Sequence, residues 1–302
     1  TIYVGLDGYT APFCIINDMG DIKGFQIDVL NAIAKAQGLK VAYRQIPFEA
    51  LEESIRKDTI LVSIMHVNNE VGALQPIGEI GKIIKMKNNS CIFHVDAIQS
   101  FGKFPINPKS MNIDLLSVSG HKLHGPKGCG FVYIKKGTKI RPIIHGGGQE
   151  RGLRSGTENV YAIGGLGEAV SLMCDNMSDN VIKLRDLKNH FISRVSNMDF
   201  AIVNGKADES SAPNIVSVSI KNVRAEVILH SLEDKDIYVS AGSACSSNKP
   251  QVSRTLKAMG IPKEYLDSTI RFSFSIYNTI EEVDYACDVL EDIVPKLMKY
   301  TR

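Results

Sequence analysis

Residues 91–128 read CIFHVDAIQSFGKFPINPKSMNIDLLSVSGHKLHGPKG, and their reading decides the fold. Two apolar runs, Cys91 to Val95 and Asp114 to Val118, are each too short for a helix and run straight into a polar segment. Runs of that length bounded by loop-forming residues read as buried strands. Upstream, Thr59 to Met65 is a third such run, and Ile77 to Lys87 carries apolar residues at helical spacing. Strands alternating with helices predict an α/β core around a mainly parallel sheet. Downstream, Phe131 to Ile134 and Ile140 to Ile144 flank Lys-Lys-Gly-Thr and predict an antiparallel hairpin. Two long helices are expected at 160–176 and 180–196. Short strands at 215–220, 237–239 and 269–274, with helices that include 280–300, predict a smaller α+β domain. The character changes near residues 47 to 51. Before that point the pattern predicts a strand at 2–6, a hairpin at 13–23, a helix from Gly24 to Gly38 and a strand at 40–46. After Pro47 an amphipathic helix is expected at 48–57.

The chain has 302 residues, 44% hydrophobic and 23% charged, which excludes wholesale disorder. Its formal net charge of +2 supplies no reason to expect nucleic acid or an anionic membrane as partner. The longest apolar stretch, Thr59 to Val67, is too short to span a bilayer. Six cysteines (14, 91, 129, 174, 245 and 287) form no CxxC pair and no cluster with His. That scatter argues against a metal site or a disulfide scaffold and fits a reducing, cytoplasmic setting. The first residue is Thr1, with neither Met nor a signal peptide, so the true start is expected to lie upstream.

Three loops follow predicted parallel strands, where open α/β sheets place their ligands. They are His66-Val-Asn-Asn69-Glu-Val-Gly72, Val95-Asp96-Ala-Ile-Gln99-Ser100, and Ser117-Val-Ser119-Gly-His121-Lys122-Leu-His124-Gly. Taken singly, each has an ordinary explanation: Asp96 as a helix cap, Lys122 as a solvated charge, His121 and His124 as hydrogen-bonded loop residues. His66 and His145 also read as structural.

Taken together, the ordered set resembles the pyridoxal-phosphate enzymes of the class V aminotransferase family. Val239-Ser-Ala-Gly-Ser-Ala-Cys245-Ser-Ser and His145-Gly-Gly-Gly-Gln-Glu-Arg-Gly-Leu-Arg154-Ser-Gly-Thr157-Glu-Asn narrow the resemblance to the cysteine desulfurases. It covers residues 50–302. It implies an aspartate aminotransferase-like fold with a large cofactor-binding domain at 49–178 and a small α+β domain at 179–302. It implies pyridoxal 5'-phosphate as cofactor, Lys122 as its Schiff-base lysine, Asp96 on the pyridine nitrogen, and Gln99 and Asn69 at the phenolic oxygen. Ser119 and His121 would cradle the phosphate. Thr157 would lie at a homodimer interface. Arg271, in Ile-Arg-Phe-Ser-Phe, would clamp the substrate carboxylate. Cys245, set among small residues, would attack the sulfur of L-cysteine, release alanine and hold a persulfide for an acceptor protein such as an iron-sulfur scaffold. Alone, Cys245 would read first as a buried, inert thiol in a turn. The other five cysteines lie in apolar strands or helices and are expected in the core. A lyase acting on selenocysteine would use the same residues.

Members of the family carry an N-terminal strand, a phosphate-binding Gly-Ala-Thr-Glu-like loop and a His that stacks on the cofactor ring, none of which is legible in residues 1–50. Neither His66 nor His94 lies in the context of that His. Instead, Tyr3-Val-Gly-Leu-Asp-Gly-Tyr9-Thr-Ala-Pro-Phe13 and Gly24-Phe-Gln-Ile-Asp28-Val-Leu resemble the start of a periplasmic amino-acid-binding protein. The chain therefore reads as a chimera, with residues 1–48 as a β-α-β graft whose last strand is expected to extend the parallel sheet. So short a piece lacks the two-lobed cleft of such proteins, so Tyr9 and Asp28 are expected to be a surface turn and a helix-start residue, not ligand contacts. Two other readings follow from this: a chimera without turnover, and an amino-acid-binding module resting on residues 1–50 alone.

Overall fold

The computed structural model describes residues 50–241 and 253–300, together with the backbone of four short strands nearer the N-terminus. These are β1 (Ile2–Leu6), β2 (Ile15–Ile16), β3 (Ile22–Lys23) and β4 (Val41–Gln45). The chain forms two compact units. One comprises Ile55–Val67 and Gln75–Asn180; the other comprises Thr1–Ser54, Asn68–Leu74 and Val181–Arg302.

The first unit is built on a four-stranded sheet. Its strands are β5 (Leu61–Met65), β6 (Ile92–Asp96), β7 (Leu115–Ser119) and β8 (Gly130–Ile134), in that order. The first three are parallel, with Met65 opposite Asp96 and Asp96 opposite Ser117. Alternation fixes which face is inside: Phe93, Val95, Leu116 and Val118 are buried. The other face carries a polar row in which His94 bridges the hydroxyls of Ser63 and Ser117 at 2.7 and 2.8 Å.

The one-turn helix α1 (Leu51–Ser54) precedes this unit in the chain and is grouped with the other one. Helix α2 (Ile77–Lys87) lays Ile77, Ile80, Gly81 and Ile84 on the sheet at helical spacing. A Cβ on Gly81 would come within 2.0 Å of the Met111 carbonyl oxygen, so only glycine permits that approach. The unit closes with α3 (Val160–Asp175), which buries Ala162, Leu166, Ala169 and Met173.

The second unit centres on an antiparallel sheet. Its order is β11 (Ser240–Ala241), β12 (Thr269–Ser273), β10 (Ile215–Ile220) and β9 (Ala201–Asn204). Every residue of β10 is buried. Around the sheet lie α4 (Met177–Val195), α5 (Ala225–Glu233), α6 (Arg254–Ala258) and α7 (Ile280–Leu297). Phe191 packs on Phe272 and Phe274 with ring centroids 4.5 and 5.5 Å apart. Thr279 and Glu282 form a reciprocal capping box that starts α7.

Several expectations change. Residues 140–144 form no strand: β8 pairs antiparallel with β7, and Ile143 is 86% exposed. The β-branched run there finds no partner strand. The helix expected at 48–57 is only α1, and the strand expected at 237–239 falls at β11. β4 does not extend the parallel sheet. It pairs in parallel with β1, Ile2 opposite Val41, in a separate two-stranded ladder, and a second small ladder joins β2 to β3. The helix expected at 24–38, with Tyr9, Cys14 and Asp28, lies outside the described residues. Cys91 and Cys287 are buried and Cys129 is half-buried, but Cys174 is exposed. It sits one residue beyond Met173, about 100° around α3 from the buried stripe.

Asp114 locks the register of β6 against β7. Its carboxylate accepts from the Phe93 amide at 2.9 Å, from Lys85 at 2.5 Å and from Lys135 at 3.0 Å. Burial pushes the Asp114 carboxyl up, but the bonds from Lys85, Phe93 and Lys135 outweigh it and hold the carboxyl below 3.8. Its stabilisation is therefore present above the ordinary aspartate pKa and lost as pH falls through the depressed value. Asp114→Ala, which strands the Lys85 ammonium and the Phe93 amide, is expected to cost about 3–5 kcal/mol in urea unfolding at pH 7. A change below about 1 kcal/mol would show that the cluster behaves as an ordinary surface pair.

Candidate active site

Because β5, β6 and β7 are parallel, Met65, Asp96 and Ser119 end at one edge of the sheet. Backbone bonds tie these ends together: the His66 amide donates to Asp96 O at 2.9 Å, and the Ala97 amide donates to Ser117 O at 3.0 Å. Asp96 Oδ1 accepts from the Ile98 amide at 2.9 Å, which fixes the carboxylate at the start of the turn that carries the half-buried Gln99.

His66 braces that turn from beneath. Its Nδ1 lies 2.9 Å from Ser100 Oγ, and the Ser100 hydroxyl reaches Ala97 O at 3.3 Å. With that hydroxyl donating to Ala97, the imidazole donates from Nδ1. His66 is 5% exposed, and burial pushes it down to about 4.

The turn Gly120–Leu123 follows β7 directly and presents the half-buried Lys122. The Gly125 amide closes it on Gly120 O at 3.0 Å, with His124 in the left-handed region at φ 63°. A Cβ on Gly120 would crowd Cys129 O, Cys129 Sγ and Leu166, each at 3.1 Å. A larger residue would thus push the lysine-bearing turn off β8 and α3. Ser119 Oγ is 2.8 Å from His121 Nδ1. Burial, then the charges of Lys122 and Lys127, lower His121. Lys103, 6% exposed at the far end of the Asp96 turn, is pushed down to about 8 by burial and then by Lys122. Burial and then Lys103 lower His124. The edge thus gathers one carboxylate, two lysines, two imidazoles and a serine hydroxyl. Thr157 is exposed in the loop before α3.

Asn69 and Arg271 belong to the other unit, where they meet. Arg271, in the middle of β12, donates from Nη1 to Asn69 O at 2.6 Å and from Nη2 to Ser240 Oγ at 3.3 Å. Cys245 lies outside the described residues. The sequence reading assigned nothing to Ser100, Lys103 or Glu70. The spacing Asp96, Ser100, Lys103 was the available signal, since those positions share one side of a helical turn.

The aminotransferase class-V family model matches residues 8–286. Cysteine desulfurase IscS of Dictyoglomus turgidum is 41% identical over 266 residues, covering 86% of this chain and 67% of that protein. IscS of Methanosarcina thermophila is 43% identical over 269 residues, covering 87% and 66%. IscS of Klebsiella pneumoniae is 44% identical over 254 residues, covering 83% and 62%. The chain thus spans about two thirds of the length of these curated relatives. Among solved structures, a NifS-like protein superposes with a TM-score of 0.81 at 38% identity, covering 91% of this chain and 73% of that one. A NifS-like protein from Rickettsia africae superposes at 0.75 with 34% identity, covering 88% and 72%.

The brace beneath the Asp96 turn has a pH signature. Below 6.5 the unfolded chain protonates His66 while the folded chain resists until about 4. The folded state then binds fewer protons, so stability falls as pH drops from 6.5 to 4, by up to about 3 kcal/mol from this group. In His66→Gln that part of the acid destabilisation is expected to vanish in urea unfolding at a series of pH values. An unchanged pH slope would contradict the burial of a neutral imidazole.

Proposed function

Because the chain belongs to the class V aminotransferase family, and within it to the cysteine desulfurases, we propose that it takes sulfur from L-cysteine and leaves L-alanine and a persulfide on Cys245. The observation that carries this is the edge itself: Asp96, Ser119 and Lys122 stand at the C-terminal ends of two adjacent parallel strands and the turn after them. Pyridoxal 5'-phosphate is the family's cofactor, and the donor set suits it. An amine, a carboxylate, and hydroxyl and imidazole donors match its aldehyde, its pyridine nitrogen and its phosphate. When bound, it supplies an electron sink for charge at the substrate α-carbon.

The chain's own residues then divide the work. With the cofactor bound, Lys122 would hold its aldehyde carbon. Asp96 would keep a proton on its ring nitrogen. Ser119 and His121 would donate to its phosphate, and Gln99 and Asn69 to its phenolic oxygen. Arg271 binds the substrate carboxylate with its planar fork. The Cys245 thiolate attacks the substrate sulfur, forming an S–S bond as the C–S bond breaks. The electron pair stays on carbon, which takes a proton to become alanine. The outer sulfur of the persulfide then passes to a thiol of an acceptor protein, such as an iron-sulfur scaffold.

The working form is a homodimer, with Thr157 of one copy near the phosphate of the other. Exposed apolar side chains around that loop favour a second copy: Ile143, Val160 and Tyr161, the last 92% exposed. Among the described residues no helix is long and apolar enough to cross a membrane. We read residues 1–48 as a graft resembling a periplasmic amino-acid-binding protein, a reading favoured by the separate β1–β4 ladder.

Alanine formed from L-cysteine by the purified, cofactor-supplied chain tests the proposal. Cys245→Ala is expected to drop alanine to background without loss of bound cofactor. Arg271→Lys, which cannot form the planar fork, is expected to raise KM for cysteine about tenfold. Alanine production that persists in Cys245→Ala would remove the assigned nucleophile.

A further inference from the structure

Within the second unit, the segment Asn68–Leu74 is held by its own turn. Asn68 Oδ1 accepts from the amides of Glu70 and Val71, both at 2.9 Å, and the Gly72 amide donates to Asn68 O at 3.0 Å. The segment is then sewn to residues 210–212: the Leu74 amide donates to Ser210 O at 3.0 Å and the Ala212 amide to Gly72 O at 2.7 Å. Lys188, 1% exposed, fixes that partner by donating to Ser211 Oγ and Ala212 O, both at 2.8 Å. The result is a rigid platform.

Two attachments leave it from adjacent residues. The Asn69 carbonyl accepts from Arg271, whose other nitrogen donates to Ser240 Oγ at the start of β11. The buried Glu70 carboxylate accepts from Ser253 Oγ at 2.5 Å and from Thr255 Oγ1 at 2.9 Å, at the first turn of α6. Ser240, in the last described strand before Cys245, and Ser253, the first described residue after it, are both tied to residues 69–70. An ordinary helix cap explains part of this, because Ser253 also accepts from the Leu256 amide at 3.2 Å. It does not explain a buried carboxylate, supplied from far away in sequence, that engages two hydroxyls of the same turn.

We infer that Glu70 is a positioning residue for sulfur transfer: it pins the C-terminal root of the Cys245-bearing segment to the same backbone that orients Arg271. This rests on the assignment of Cys245 as nucleophile. The substrate-binding side is independent of the Glu70 side chain, since the platform turn is held by Asn68 and by main chain. Losing the pin therefore slows the step that needs Cys245 and leaves cysteine binding intact.

The test compares Glu70→Ala, Glu70→Gln and the double variant Ser253→Ala/Thr255→Ala, each loaded with pyridoxal phosphate. The expected result is a kcat for alanine formation lower by about tenfold in Glu70→Ala and in the double variant. KM and the visible absorbance of the bound cofactor stay unchanged, and Glu70→Gln, which keeps one acceptor oxygen, recovers much of the rate. Hydrogen exchange at the amides of Lys257 and Met259 is expected to accelerate in Glu70→Ala, because these amides close the turns of α6 on Ser253 and Thr255. That readout needs no turnover, so it distinguishes failure of the pin from failure of the desulfurase assignment. Unchanged kcat with unchanged exchange would overturn the inference. So would a kcat loss matched by loss of bound cofactor, or a Glu70→Gln no better than Glu70→Ala.

Discussion

The chemistry available to this chain depends on the parallel register of β6 and β7. Asp96 sits opposite Ser117, so the two strands end within two residues of one another and deliver Asp96 and Lys122 to one edge. Side chains alternate along a strand, so a slip of one residue would bury His94 and Asp96 and expose Phe93 and Val95. The apolar face therefore holds the register from below, while Asp114, bonded to the Phe93 amide, holds it at the entry end. Neither device touches the candidate site, yet both decide where it stands.

A second constraint operates in the other unit. Residues 68–74 leave the sequence neighbourhood of β5 and become part of the antiparallel-sheet unit, joined to residues 210–212 and to β12. A buried lysine underlies this arrangement. Lys188 would be costly if left unsatisfied, and its two hydrogen bonds turn that cost into a specification of where residues 211–212 must lie. A short loop motif thus becomes a structural platform that presents Asn69 and Glu70 to different partners.

Much of the fold was legible in the sequence wherever periodicity and burial agree. The bounds of α2 and β10 follow from the pattern alone, because Ile77, Ile80 and Ile84 fall on one helical face and β10 is apolar on alternate residues and fully enclosed. Legibility failed where partners decide. The run at 140–144 has strand-like composition, but Pro142 at its centre has no amide to donate to a ladder with β8. Lys188 lies on a polar helix, and its burial follows from hydroxyl and carbonyl partners more than twenty residues away. The strand-end positions of Asp96 and Lys122 could be read locally, but their roles came from a family resemblance. The grip of Glu70 on Ser253 and Thr255 spans most of the chain, beyond any local pattern.

A cofactor site built around Lys122 at the β6–β7 edge has a direct spectroscopic consequence. Titrating the purified chain with pyridoxal 5'-phosphate while recording the visible spectrum, beside Lys122→Ala, tests it most directly. A saturable yellow absorption band is expected in the parent chain and absent from Lys122→Ala, although that variant stays folded. The same band in both proteins, or none in the parent, would contradict it.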